Sequence, residues 1–240
     1  MNIFCVLCAT DHGLFKSKCP KQIAESRRPK ADSNNKSHIK IMLKTTVKVS
    51  MLNNLSDARY CAGMGVDLLG FSMDKLDFDK YKEMRGWLAG VQVVGETDTN
   101  DVAKIAELAE TFQPDYLQVS AWENLAEIQR INLPIILKVD FATANLPALF
   151  QTTKGMVEYF LLESSDEFGV IDDATLSQID AWSFQYPILL GFGVKESNIN
   201  DLLEQTQLKG FALKGNDEIR PGFGDFDELM NILELLETDD

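Results

Sequence analysis

From Thr45 onward, short apolar and β-branched runs alternate with longer stretches in which apolar residues recur every three or four positions. The short runs are TVKVS (46–50), LLGFS (68–72), VQVV (91–94), YLQV (116–119), IILKV (135–139), YFLLE (159–163), ILLGF (188–192) and GFALK (210–214). Nearly continuous apolar runs of this length fit parallel strands covered on both faces. They recur about every 20–25 residues, which leaves room for one helix between successive strands.

The intervening stretches carry helical patterns. Val102, Ile105, Ala106 and Ala109 share one helical face, and so do Leu229, Ile232, Leu233 and Leu236. Ser56, Asn100, Ser197 and Asp225 precede four of these stretches. Each is a residue type that accepts hydrogen bonds from the free amides of a first helical turn. The pattern therefore predicts an α/β fold, an eight-stranded parallel (β/α)8 TIM barrel. An open doubly wound sheet is the alternative, and the lack of a G-x-G-x-x-G turn disfavours its dinucleotide-binding form. In such barrels the chemistry sits where strands end and the following loops begin. That rule selects Ser50, Ser72, Gln118, Ser120, Lys138, Asp140, Glu163, Gly193, Lys214 and Asn216.

Charge divides the chain. Residues 1–41 hold eight Lys and Arg against three Asp and Glu, so the remainder is more acidic than the total of −14. A body of that sign repels nucleic acid and anionic membranes, and neither is expected as a partner. Residues 16–40 are polar and basic without apolar period, which predicts a disordered extension over 1–41, or upstream translation ahead of Met42. The barrel is then assigned to 42–240. A targeting peptide fits less well, because there is no clean apolar core or cleavage site. A zinc site of Cys5, Cys8, Cys19 and His12 lacks the usual distant second pair. No metal and no cofactor are expected. Three of the four Cys lie in the extension, so there is no disulfide framework and a cytoplasmic location is expected. No stretch reaches the roughly 18 apolar residues of a membrane span. Both His residues, His12 and His38, also lie in the extension. Proton transfer in the barrel must therefore rely on carboxylates, Lys, Tyr, Cys61 or water.

Residues 47–71 read VKVSMLNNLSDARYCAGMGVDLLGF, 116–121 read YLQVSA, 187–199 read PILLGFGVKESNI and 210–225 read GFALKGNDEIRPGFGD. In this order they resemble the phosphoribosylanthranilate isomerases, whose corresponding segments are a VKICG strand with a GAD-x-LGF strand after it, VQLHG, P-x-x-LAGGL-N-P-E-N-V and GVDVSSGVES-x-PG-x-KD. The resemblance covers about residues 45–236. It implies the barrel fold and an Amadori rearrangement of an aminoaldose phosphate in tryptophan biosynthesis. That reaction needs a general acid to open the sugar ring and a general base to remove a proton beside the iminium.

The resemblance also implies where the working groups fall. The family's base, a Cys, falls on Ser50, and its acid, an Asp, falls on Glu163. Its strand-four His falls on Ser120, with Gln118 retained, and its strand-eight Asp falls on Ala212. Its two phosphate turns fall on Phe192-Gly193 and on Lys214-Gly215-Asn216. The Arg after strand two has no counterpart in SMDKLDFDKY (72–81). Ser50 without a neighbouring base does not replace a thiolate, and Phe192 stands where a phosphate would lie.

Each candidate also has a plain structural reading. Ser50 is a small residue closing a strand, Glu163 a carboxylate paired with Lys138, and Lys214 either an anion holder or charge balance. Gly193 and Gly215 suit any tight turn. Cys61, Trp87, Trp122 and Trp182 read as packing residues. The resulting expectation is an isomerase-like barrel without the isomerase reaction. Ser50 and Glu163 are its candidate catalytic groups. Gln118, Lys138, Gly193, Lys214, Gly215 and Asn216 would bind a small anionic or phosphorylated molecule, a sugar phosphate among the candidates. The alternative is a functional isomerase, an intramolecular aldose–ketose enzyme. The chain is expected to be a monomer or a homodimer.

Overall fold

The computed structural model describes residues 42–165, 170–215, 218–220, 223–224 and 227–238. The extension assigned to residues 1–41, the zinc reading there, Asn216 and the cap assigned to Asp225 lie outside the described residues. Eight parallel strands close into a barrel in chain order. They are β1 (Thr46–Ser50), β2 (Leu68–Ser72), β3 (Gln92–Glu96), β4 (Tyr116–Val119), β5 (Ile135–Asp140), β6 (Tyr159–Glu163), β7 (Ile188–Leu190) and β8 (Gly210–Lys214). The seam pairs β1 with β8 over five residues, from Thr46 opposite Gly210 to Ser50 opposite Lys214. The strands expected from the sequence are all present, β3 displaced by one or two residues and β7 shortened.

Helices α1 (Leu55–Gly63), α2 (Phe78–Trp87), α3 (Val102–Phe112), α4 (Leu125–Ile128), α5 (Leu146–Thr153), α6 (Asp173–Ser183), α7 (Ile199–Gln205) and α8 (Asp227–Leu236) connect and cover them. The fourth connection is a single helical turn between two 3-10 turns. A two-stranded antiparallel hairpin, β9 (Glu218–Arg220) with β10 (Phe223–Gly224), follows β8 and was not expected.

Three helix starts differ from the sequence reading. The cap of α1 is Asn54 rather than Ser56, its side chain accepting from the Asp57 amide. The cap of α3 is Asp101 rather than Asn100, accepting from the amides of Ala103 and Lys104. Residue Asn198, not Ser197, precedes α7. Asn, Ser and Asp all cap well, so composition alone does not choose between near neighbours; the chain's exit direction from the preceding turn does. In α3 the buried stripe runs through Ile105, Leu108, Ala109 and Phe112, and Ala106 is exposed. The large side chains turned the face toward themselves. In α8 the expected face, Leu229, Ile232, Leu233 and Leu236, is buried as read.

Two apolar layers result. One lies between strands and helices and runs right round the barrel. It includes Cys61, fully buried, whose thiol burial pushes up to about 12, in keeping with a packing role. The other fills the barrel interior with Leu68, Val94, Ile136, Leu161, Leu189 and Ala212, residues on the inward-pointing alternation of six strands. β1 departs from this pattern, because its inward residue at that level is Lys48, fully buried.

Candidate active site

Inward alternation carried one step beyond the apolar layer brings polar residues to the C-terminal mouth. A cavity of about 80 Å³ there is lined by Ser50, Glu96, Gln118, Lys138, Glu163 and Lys214, among others. Five of these are sequence candidates drawn from strands β1, β4, β5, β6 and β8. Gly193 and Gly215 do not line that cavity. Gly193 takes φ +64, which suits glycine, and its carbonyl accepts the Asn198 side-chain amide at 2.7 Å. Gly215 donates its amide to the Ser50 carbonyl at 2.9 Å, closing the seam above β1 and β8. Phe192 packs its ring 5.4 Å from that of Phe141, away from a free turn.

The charges of the mouth are arranged in pairs. Lys48 bridges Glu96 at the end of β3 and donates to Ser50 Oγ at 2.5 Å. Glu96 accepts in addition the Met51 amide at 3.1 Å. The bridge passes over Gly70 of β2, where a Cβ would lie 2.1 Å from Glu96 Oε1. Any side chain there would force the two charges apart. Lys138 pairs with Asp98, not with Glu163 as the sequence suggested. Glu163 instead faces Lys214 at 3.8 Å. In the β5–β6 register Lys138 lies opposite Leu161 and Asp140 opposite Glu163, whereas Asp98 from the β3–α3 loop meets Lys138.

Sequence reasoning missed Lys48 and Glu96. Lys48 stands within the VKVS strand, and its period-two alternation with Ser50 was a usable signal. Nothing local marks Glu96, which follows an ordinary apolar run.

Met51, next to Ser50, has φ 58. A non-glycine residue in this left-handed region is strained, at a cost of order 1–3 kcal/mol. The Met51 side chain is 44% exposed and offers little packing in return. Met51→Gly should therefore raise stability by about 1 kcal/mol, read from the urea midpoint. A lowered midpoint would mean that Met51 packing outweighs its backbone strain.

Two further atoms stand out. Gln118 Oε1 and Ser120 Oγ, successive inward positions of β4 and its end, are buried without a hydrogen-bond partner among the described residues. Trp182 packs on Phe141 and Phe150 as expected. Trp87 and Trp122 do not pack inward as expected and are 64% and 45% exposed. Trp87 lies on the outer surface under the Arg59 guanidinium, and Trp122 on the mouth side. No cluster of metal-ligating side chains is found among the described residues. No helix among them is long and apolar enough to cross a membrane.

A (β/α)8 barrel with a polar, ion-paired mouth built from strand ends defines the class. No family model matches the chain. It is 25% identical over 206 residues to the N-(5'-phosphoribosyl)anthranilate isomerase of Xylella fastidiosa strain 9a5c, spanning 80% of this chain and 91% of that one. Among solved structures, the phosphoribosyl anthranilate isomerase of Thermotoga maritima superposes with a TM-score of 0.66 at 18% identity, covering 79% and 97% of the two chains. The enzyme of Thermus thermophilus superposes with 0.64 at 16% identity, covering 79% and 96%. The chain is thus similar in sequence to phosphoribosylanthranilate isomerases and shares their fold.

Proposed function

We propose that the barrel mouth binds a small anionic or phosphorylated molecule and no longer performs the isomerase reaction. One observation carries this reading. The Lys48 ammonium donates to Ser50 Oγ at 2.5 Å. By the family resemblance Ser50 falls where the family has its base, and a hydroxyl whose lone pair is engaged by an ammonium is a poor proton acceptor. Its own O–H remains a donor toward the cavity. Glu96, its carboxylate held by Lys48, and Gln118 complete the wall of the cavity.

Anion binding rests on Lys214. It is half exposed, and at 3.8 Å from Glu163 it makes no direct hydrogen bond to that carboxylate. Its ammonium donors can turn toward a ligand, with Lys138 on the same cavity. A second reading, a working isomerase with Glu163 as acid, is favoured by Glu163 sharing that cavity with Ser50 and Gln118.

Two measurements separate these readings. The full chain, expressed in a bacterium without its own isomerase, should fail to restore growth without tryptophan while accumulating as soluble, folded protein. Growth that disappears in Glu163→Ala would establish the second reading instead. Inorganic phosphate should raise the melting temperature of the wild-type chain, since a ligand of the native state stabilises it, and should not do so in Lys214→Ala. An unchanged wild-type melting temperature would remove anion binding from the proposal.

A further inference from the structure

Three ion pairs stand at the inner cavity among the described residues, and they differ in kind. Lys48 and Glu96 are in direct contact, and so are Lys138 and Asp98. Asp74, also on the lining, accepts the Thr97 hydroxyl at 3.1 Å and the Asp98 amide at 3.0 Å. The third pair is open. Lys214 and Glu163 stand 3.8 Å apart, beyond hydrogen-bonding distance, with side chains 54% and 23% exposed. This pair therefore offers a ligand one ammonium and one carboxylate, side by side.

The lining as a whole is balanced in charge. It holds four carboxylates and three ammonium groups, and Lys48 behind Glu96 makes a fourth. Lys75, the cation outside these pairs, is exposed at the rim. A simple anion that draws Lys214 to itself is left facing Glu163. A simple cation on Glu163 is left facing Lys214. A molecule that carries both charges gives each a partner. It also brings no net charge into the field of a chain at −14, which repels an anion.

The spacing selects among such molecules. In an α-amino acid the ammonium nitrogen lies about 3 Å from the carboxylate oxygens. Charge-assisted hydrogen bonds are about 2.7–2.9 Å long. Alternating charges at those separations close a four-membered ring of ions, and its remaining side is the 3.8 Å gap between Lys214 and Glu163. Neither side chain has to swing far. An ω-amino acid holds its two charges too far apart to close the same ring. Glu163 also borders a wider outer pocket of about 420 Å³ at the ends of β4, β5 and β6, which leaves room for a substituent on the ligand's Cα.

We infer that the mouth binds a free α-amino acid, its carboxylate on Lys214 and its ammonium on Glu163. The inference rests on the reading of Lys214 as the group that takes the anionic end of a small molecule. It adds Glu163 as the group that takes a cationic end.

Glycine and the common L-α-amino acids are titrated singly into the full chain in a calorimeter, with acetate, methylammonium, 4-aminobutyrate and inorganic phosphate as comparisons. At least one α-amino acid should bind saturably, and more tightly than any comparison. Lys214→Met and Glu163→Gln should each weaken it roughly tenfold or more, the scale of one charge-assisted hydrogen bond. Unchanged melting temperatures would show that both variants fold. The inference is overturned if no α-amino acid binds, if 4-aminobutyrate binds as tightly, or if either variant keeps the wild-type affinity. Phosphate raising the wild-type melting temperature while no α-amino acid binds would sink this inference and keep the anion reading. An α-amino acid bound through both residues while phosphate leaves the melting temperature unmoved would support the inference and remove the simple-anion reading.

Discussion

Lys48→Met destabilises the barrel by about 3–5 kcal/mol, the usual cost of breaking a buried ion pair from one side. Lys48 is fully buried, and its ammonium has Glu96 and Ser50 as partners. Methionine fills most of the same volume, so packing loss is small. The cost comes from the Glu96 carboxylate, 6% exposed, whose charge loses its partner and which is left with only the Met51 amide to accept from. The double variant Lys48→Met, Glu96→Gln removes that charge and should regain most of the loss. The pair is thus of little net value to stability and expensive to break. Urea unfolding reads both, with an unchanged denaturant slope confirming comparable states. If the double variant is as unstable as the single one, the Lys48 stem or its bond to Ser50 matters more than the charge of Glu96.

Gly210→Ala should cost about 3 kcal/mol, at the upper end of overpacking penalties. A Cβ at Gly210 would stand 1.8 Å from the Thr46 carbonyl oxygen and 2.7 Å from its carbon. These are backbone atoms of the strand that Gly210 must pair with to close the barrel. Neither strand can turn a rotamer aside, so β1 and β8 must separate where the seam begins. Gly63→Ala is the matched control, because nothing lies within 4 Å of its added Cβ and alanine suits the helix better. That variant should be neutral or slightly stabilised. A melting temperature for Gly210→Ala equal to that of Gly63→Ala would mean that the seam is more pliable than its register suggests.

The strand ends illustrate how far a linear reading of the mouth could go. Ser50, Gln118, Lys138, Glu163 and Lys214 were selected because each lies at or next to the end of an apolar run, four of them also by the family resemblance, and all five line one cavity. Their partners were not legible. Lys138 was paired on paper with Glu163, yet Asp98, from a loop, reaches it first. Loop paths depend on the geometry of two strands and a helix at once, and no local pattern encodes them. Glu96 was missed for a related reason. Its role exists only because β2 carries Gly70 between it and Lys48, a relation among three strands.

By itself the amino-acid sequence determined the order of strands and helices, the barrel class and the family likeness. Those features follow from hydrophobic period and from contiguous motifs, which are local and survive in one dimension. The tertiary structure alone decided which lysine meets which carboxylate, that Ser50 accepts from a buried ammonium, and that Trp122 faces the mouth instead of the core. Each of these depends on side chains from strands remote in sequence meeting inside a closed barrel, where burial makes every pairing count.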